Sequence, residues 1–576
     1  MSRVTVLLMV LLAVACGSPA SGPRSASSGD AASAGGDRAP GQPSRLAVAI
    51  AQETGGLATK LDTIATSYAA EYHFMTNSPL TLLDAHDAVL PRLAQGLVSQ
   101  DDGTWRIDPD GTMRTTWTIR SGALWHDGSP VTAADFAFAL RVYQDPEISV
   151  VTREPEQLID HIDILDDRAF VVAWSRPYAQ ADRLGPGQLE PLPEHLLAES
   201  YERDRAVFQS SPFWTGPAYV GNGPYQLTQW EQGVQLIFRA FDRYYLGKPS
   251  IDEITFHVIS DPNTVVANLL SGSIDATVGI TLPPSAGAIV RETWDRTGDG
   301  RVLTFPTSTR FARFQLDPAR SGQPALLDKR VRQAVVHALD RDTIAGGVSM
   351  GMLPAALNLL IPENQYYERV RQLAPPLSYD RSRALALLGD AGWTRSPNGA
   401  VVGPDGQPLS FEIRTPRAGD NEPQMNLVAS DLRAIGIDVT ETLIPAPRLK
   451  DLEYMSLFPG LYATAGVYDD PTAMENFTAD QCPRADARFV GKNVGCWINT
   501  EYDRLVQVAT TSLDDRERTN AFLHAHRLLM DDVAIVTLTY VTENIASRAG
   551  LAGPGPRSPA QKGNTWDVHT WRWTRA

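Results

Sequence analysis

The sequence predicts an α/β protein of more than one domain, and three observations carry the prediction. Short runs rich in β-branched and aromatic residues read as strands because turn formers bound each one: Arg45 to Ala51, Thr116 to Arg120, Gln235 to Phe241, Glu253 to Ile259 and Leu409 to Thr415. Between them lie amphipathic helical stretches, Thr132 to Tyr143, Asp261 to Leu270, Asp328 to Leu339, Asp380 to Gly392 and Met425 to Gly436. Most of these open on an Asp or Thr able to accept orphan amide protons, and the last two close on a glycine. The third observation is size: 576 residues with 43% apolar content exceed one hydrophobic core and imply two or three domains. No repeat of fixed period is visible. Val568 to Thr574 alternates apolar and polar residues and reads as a last strand.

A formal charge of −16 argues against a nucleic-acid partner, which needs a basic face. At the start, one arginine, Arg3, precedes an apolar run from Val4 to Ala15 that is too short for a membrane span and reads as an export signal over residues 1–15. Leu12-Ala13-Val14-Ala15-Cys16 resembles the lipobox of bacterial lipoproteins, with Ala13 where leucine is more usual. That likeness implies cleavage before Cys16 and diacylglycerol on its thiol; an ordinary signal with an incidental cysteine is the alternative. Residues 16–44 are rich in Ser, Gly, Ala and Pro and read as a flexible tether. The other two cysteines, Cys482 and Cys496, lie in a turn-rich loop. A disulfide is the simplest account for an exported chain, and a zinc site is disfavoured because no histidine or third thiol is near.

The segment from Trp117 to Val142 places His126, Asp127 and Ser129 together. Consecutive residues of a turn point apart, so they cannot align as a Ser-His-Asp relay. Gly128 and Pro130 make the turn, Thr132 caps the following helix with Asp135 at its third position, and Phe136, Leu140 and Tyr143 share one face.

This segment, WTIRSGALWHDGSPVTAADFAFALRV, is similar to the most characteristic motif of the family 5 extracellular solute-binding proteins, the dipeptide, oligopeptide and nickel receptors of ABC importers. Further likenesses follow in the family's order. They are Pro91 to Ala94, the block from Gly221 through Gly-Pro-Tyr and Tyr244-Tyr245 to Gly272-Ser273-Ile274-Asp275, the helices from Asp328 and Tyr379, and the stretch from Asn493 to Ala509. The resemblance implies two lobes of the periplasmic-binding-protein type (type II, cluster C), a ligand held between them, and no chemistry on that ligand. It places lobe one at 45–83, 211–305 and 535–576, an inserted subdomain at 84–210, and lobe two at 306–534.

Several patterns invite other readings. Gly347 to Gly351 fits a nucleophile elbow around Ser349, but it follows a helix rather than a strand, so a hydrolase is disfavoured. His524 and His526, two apart on a helix, face different directions. Asp84, His86 and Asp87 read as solvated polar residues, and the charged run from Asp514 to Asn520 as an exposed helix start. No metal site and no cofactor is expected.

In the resembled peptide receptors an aspartate four residues before a proline holds the ligand's amino group, in a pattern close to Trp-x-x-Asp-x-x-Asp-Pro. Here that proline is Pro471, the aspartate position is Val467 and the tryptophan position is Thr464; only Asp470-Pro471 survives. Either Asp469 takes over the role or the ligand presents no free amine there. The expected ligand contacts are Glu53, Thr54, Trp214, Asn222, Phe311, Arg313, Tyr468, Asp469 and Asp470. The resemblance thus implies a monomeric receptor, lipid-anchored on the outer face of the bacterial cytoplasmic membrane, that passes peptides to a permease and its ATPase. The alternatives are a sensor or envelope partner that has lost transport, and a receptor for a siderophore, haem or sugar.

Overall fold

The computed structural model describes residues 44–61, 68–374 and 376–574; the export signal, Cys16 and the tether up to residue 43 lie outside the described residues. A ten-stranded sheet runs through both lobes. Its order begins with Asp438–Ile444, Ser410–Pro416 and Leu461–Gly466, and continues through the two longest strands, Gly300–Phe314 and Ile535–Arg548. It ends with Ala276–Thr277, Arg45–Ile50, Glu253–Val258, Gln235–Ala240 and Tyr225–Glu231. Parallel pairing appears where a helix makes the return, as between Ser410–Pro416 and Asp438–Ile444 across the helix Asn421–Ala434.

The two longest strands hold 15 and 14 residues and pair antiparallel from Gly300 opposite Arg548 to Arg313 opposite Ile535. Their register shifts between Arg310 and Phe311 and, nearer the middle, between Pro306 and Ser308. Proline has no N–H to give to the ladder, so this is where the pairing yields and the strands bend between lobes.

Separate cores lie to either side of this point. One gathers Leu46, Val48, Ile50, Tyr72, Phe238 and Phe256; the other gathers Phe314, Leu387, Phe411, Ile413, Leu432 and Val439. A third core, with Trp117, Trp125, Phe136, Phe170 and Trp174, fills a four-stranded antiparallel sheet between Trp105 and Trp174 and the helix Ala133–Gln144 laid on it. Alternation in Met113–Thr118 turns Met113, Thr115 and Trp117 inward.

The turn before that helix is built as its residues dictate. Gly128 takes φ +95°, where a side chain would be strained. The Asp135 carboxylate accepts from the Thr132 amide at 2.8 Å and from the Trp125 indole at 3.2 Å. Cys482 and Cys496 form a disulfide with Cα atoms 4.9 Å apart.

Two expectations need correction. The C-terminal segment is mainly a 3-10 stretch, Asn564–Thr570, with only Arg572–Trp573 extended. Val568 and Trp571, three apart, are the residues it buries, and that spacing suits a 3-10 turn better than a strand. Asp87 is not freely solvated: it accepts from Ser558 Oγ at 2.5 Å and from Asn364 Nδ2 at 3.4 Å.

Candidate functional site

At the register break the lobes enclose a cavity of about 520 Å³. The crossing strands supply Thr307, Ser308 and Val541 to its wall. One lobe adds Glu71, Gly279 and Ile280, together with Arg557, Lys562 and Gly563 from the C-terminal segment. The facing lobe adds Gly466, Val467, Asp470 and Ala473. A second cavity, of about 310 Å³, lies behind the second lobe against Lys329, Arg341 and Val533, away from the crossing point.

Backbone requirements keep the wall thin. Gly279 has φ +61°, and a Cβ there would stand 2.9 Å from the Tyr68 ring. A Cβ on Gly466 would stand 2.6 Å from the Tyr468 ring.

The charges of the wall are uneven. Arg557 pairs with Glu543 at 2.6 Å, with side chains 9% and 0% exposed. The pair is incompletely satisfied, for Arg557 Nε and Glu543 Oε1 are both buried without a hydrogen-bond partner. Burial, and then the Glu543 charge, push the Glu71 carboxyl up to about 7. Lys562 adopts φ +63°, uncommon for a side-chain-bearing residue, and faces no carboxylate at ion-pair distance among the described residues. Desolvation first, and Arg557 second, lower its pKa.

Across the cavity, Asp470 bonds to the segment around Gln180. Its two oxygens accept from Gln180 Nε2 at 2.7 and 2.8 Å, Arg183 lies 3.5 Å away, and the same carboxylate caps the helix Pro471–Met474 through the Thr472 amide at 2.8 Å. Its neighbour Asp469 has both oxygens buried without a well-formed hydrogen bond. Burial raises its carboxyl to about 8, Asp87 adds to the rise, and the nearby Ile361 amide offsets only part of it.

Of the nine expected contacts, Asp470 is on the cavity wall. Glu53 instead accepts from the Trp230 indole at 3.2 Å and the Gly233 amide at 2.9 Å, and the Thr54 hydroxyl donates to the Gly56 carbonyl. Trp214 packs on Phe208 and donates to its carbonyl at 2.7 Å. Asn222 clasps the Ser78 backbone, taking its amide at 2.8 Å. Phe311, Arg313 and Tyr468 cluster below the wall: Phe311 is fully buried, and Arg313 donates to the Tyr468 hydroxyl at 3.0 Å while stacking on Phe477. Asp469 sits beside Asp470, facing Asp87. Val467, the position of the missing aspartate, is on the wall itself.

The apparent catalytic groups are engaged structurally. His126 accepts from the Gly221 amide through Nδ1 and donates to the Gly223 carbonyl through Nε2, and burial lowers its pKa to about 4. Ser349 ends the helix Arg341–Ser349 with its hydroxyl bonded to Ala345 and Leu353. His526 is buried and His524 exposed.

Sequence reasoning missed Glu71, Thr307, Ser308, Arg557 and Lys562. Thr307 and Ser308 lie three to six residues before the expected Phe311 and Arg313, on the same strand. Arg557 and Lys562 fall in GPGPRSPAQKG, whose composition announces turns and nothing more.

Residues 91–482 match the model of the bacterial extracellular solute-binding proteins, family 5, middle region. Protein XP55 of Streptomyces lividans is 27% identical over 480 residues, covering 80% of this chain and 81% of that protein. The oligopeptide-binding protein AppA of Bacillus subtilis is 23% identical over 451 residues, covering 77% and 78%. Among solved structures, the oligopeptide-binding protein of Thermus thermophilus complexed with a pentapeptide superposes with a TM-score of 0.68 at 21% identity, over 92% of this chain and 96% of that one.

Proposed function

Because the chain belongs to the bacterial extracellular solute-binding proteins of family 5, we propose that it is the lipid-anchored receptor of an ABC importer, closing its lobes on a peptide or peptide-like solute and delivering it to a membrane permease. The family binds peptides or related solutes for such importers, and its members are solute-binding proteins rather than enzymes. The observation that carries the reading is the cavity of about 520 Å³ shared by both lobes at the bend of the crossing strands. Its size falls within the roughly 300–1,000 Å³ usual for small-ligand sites. A ligand touching both walls favours the closed state by contacts that the open state lacks, which is all the binding mechanism requires.

The names of AppA, an oligopeptide-binding protein, and of the pentapeptide complex support peptide as the substrate class. Diacylglycerol on Cys16 would hold the body at the outer face of the cytoplasmic membrane, with residues 17–44 as tether. Mass spectrometry of ligand released from the purified body, followed by calorimetry with that compound, tests the receptor. If nothing co-purifies and a broad peptide library gives no thermal shift, the peptide reading fails. Cys16→Ser is expected to release the protein into the medium; retention on the membrane would refute the anchor.

Val467 on the wall favours a second reading, a sensor or envelope partner that has lost transport. Deleting the chain would then leave uptake of the identified ligand unchanged.

A further inference from the structure

The cavity of about 310 Å³ in the second lobe is built around a guanidinium that the chain engages only in part. Lys329, Gln333 and Val336 fall four and then three positions apart on the helix Lys329–Ala338, so they line the cavity from one face. Arg341 enters from the start of the helix Arg341–Ser349 and is only 8% exposed. Its Nη2 donates to the Leu377 carbonyl. Its Nε and Nη1 meet no acceptor among the described residues, and neither is sealed from solvent as the Nε atoms of Arg310, Arg313 and Arg557 are. A guanidinium carries five N–H groups and keeps its charge at neutral pH, so Arg341 retains donors that can be reached from the cavity it lines.

The carboxylates around it are committed elsewhere. Asp340 caps the helix Arg341–Ser349 through the Thr343 amide at 3.1 Å, and Asp431 accepts from the Asp340 amide at 2.9 Å with Arg381 3.4 Å away. Asp531, on the cavity rim, pairs with Arg527 at 3.1 Å, and Asp532 lies 3.7 Å from Arg332. Asp342, next in the chain, is the carboxylate that offsets part of the desolvation of Arg341. The half-buried Gln333 adds an amide that bonds to no other described residue. Most of the remaining wall is hydrocarbon, from Val336, Leu377, Met530 and Ile535. The cavity thus joins one accessible cation to an apolar chamber.

We propose that this cavity is a second binding site, taking a small carboxylic acid with an apolar body. The carboxylate is held by the free N–H groups of Arg341 with the Gln333 amide as a further donor, and the body lies against Val336, Leu377, Met530 and Ile535. One guanidinium answers one negative charge, which suits a carboxylate better than a phosphate, and its planar fork matches a carboxylate's two oxygens. The volume stands at the small end of the roughly 300–1,000 Å³ usual for such sites. The site shares no residue with the cavity at the bend of the crossing strands, so it stands whatever solute the receptor carries.

The test is a titration of the full-length protein, isotope-labelled at its methionine methyls, with hexanoate and phenylpropionate and with their uncharged amides. The Met530 methyl lies on the cavity wall, so its resonance, assigned with Met530→Leu, reports occupancy of this site. The acids are expected to move that resonance saturably, and the amides to bind at least about tenfold more weakly. Arg341→Gln is expected to abolish the preference for acid over amide. Gln333→Phe, from a half-buried position on the wall, fills the cavity without touching Arg341 and is expected to block both. Should Arg341→Gln fail to fold, the acid and amide comparison together with Gln333→Phe decides. No saturable movement at millimolar acid, amides binding as well as acids, or an unchanged Met530 response in Gln333→Phe would overturn the inference. None of these outcomes bears on the receptor reading, which is tested by the solute that co-purifies.

Discussion

His126 shows how a residue of apparent catalytic type serves structure, and its titration makes that role measurable. The ring joins the turn before the helix Ala133–Gln144 to the Gly-Pro-Tyr turn, accepting from Gly221 and donating to Gly223. Burial holds its folded pKa at about 4, against 6.5 when free. Between those values the unfolded chain takes up a proton that the folded chain refuses, so this residue's contribution is complete above about 6.5 and declines with acid down to about 4. The loss comes to about 3 kcal/mol, at about 1.36 kcal/mol per tenfold change. His126→Gln, which does not titrate, is expected to remove that much of the pH dependence between pH 7 and pH 4. Denaturant unfolding of the two proteins at both pH values measures it, and parallel losses would show that His126 is not the group responsible.

At the scale of elements, the disulfide loop is the clearest lever. Cys482 and Cys496 are 14 positions apart, and closing a loop of that length stabilises a fold by about 3 kcal/mol in the chain-entropy account. The loop also carries Lys492, whose carbonyl accepts from Arg313 beneath the cavity wall. The double variant Cys482→Ser, Cys496→Ser is expected to melt earlier and to be indifferent to reductant; a melting temperature equal to that of the oxidised parent would contradict this. The cysteine pair was legible in the sequence because spacing and composition bear directly on it. So were the strands and helices whose hydrophobic period matches their burial, such as Gln235–Ala240 and Lys329–Ala338, whereas the strand expected at Thr116 to Arg120 lies earlier, at Met113–Thr118. Val568 to Thr574 was misread because alternation over seven residues fits a strand and overlooks a spacing of three between the buried Val568 and Trp571. The cavity wall was legible at Val467 and Asp470, where a patterned segment fixes position. It was illegible at Glu71, Arg557 and Lys562, because what brings those three together is the packing of residues 557–563 near the helix Ala69–Thr76, a contact between segments nearly five hundred positions apart.

For the whole molecule, the decisive equilibrium is between closed and open lobes, and the groups at the seam give it a pH dependence. Asp469 has buried oxygens and a carboxyl raised to about 8, by burial first and then by Asp87, with Asp470 and Glu363 adding to the rise. Asp87 and Glu363 are themselves raised, each by burial first. Arg183 lowers Asp87 and His86 lowers Glu363, and neither reverses the direction. Opening separates Asp469 from Asp87 and returns it to water, where a carboxyl titrates near 4. Closing thus takes up a proton at any pH between about 4 and about 8. The closed form is favoured most at the acid end of that window and loses ground as pH rises, by at most about tenfold in the closed-to-open ratio per pH unit for one proton. Asp469→Asn keeps the shape without the charge and is expected to make closure independent of pH across the upper part of the window. Small-angle scattering, or energy transfer between dyes on the two lobes of the ligand-free body, reads the ratio from pH 6 to pH 8.5. A closed fraction that grows with pH, or an Asp469→Asn response parallel to that of the parent, would show that closure is governed by other groups. Gln180→Ala separates the two contributions of the seam. It removes a neutral donor to Asp470 and is expected to shift the ratio toward open by a similar factor at every pH, leaving the slope unchanged.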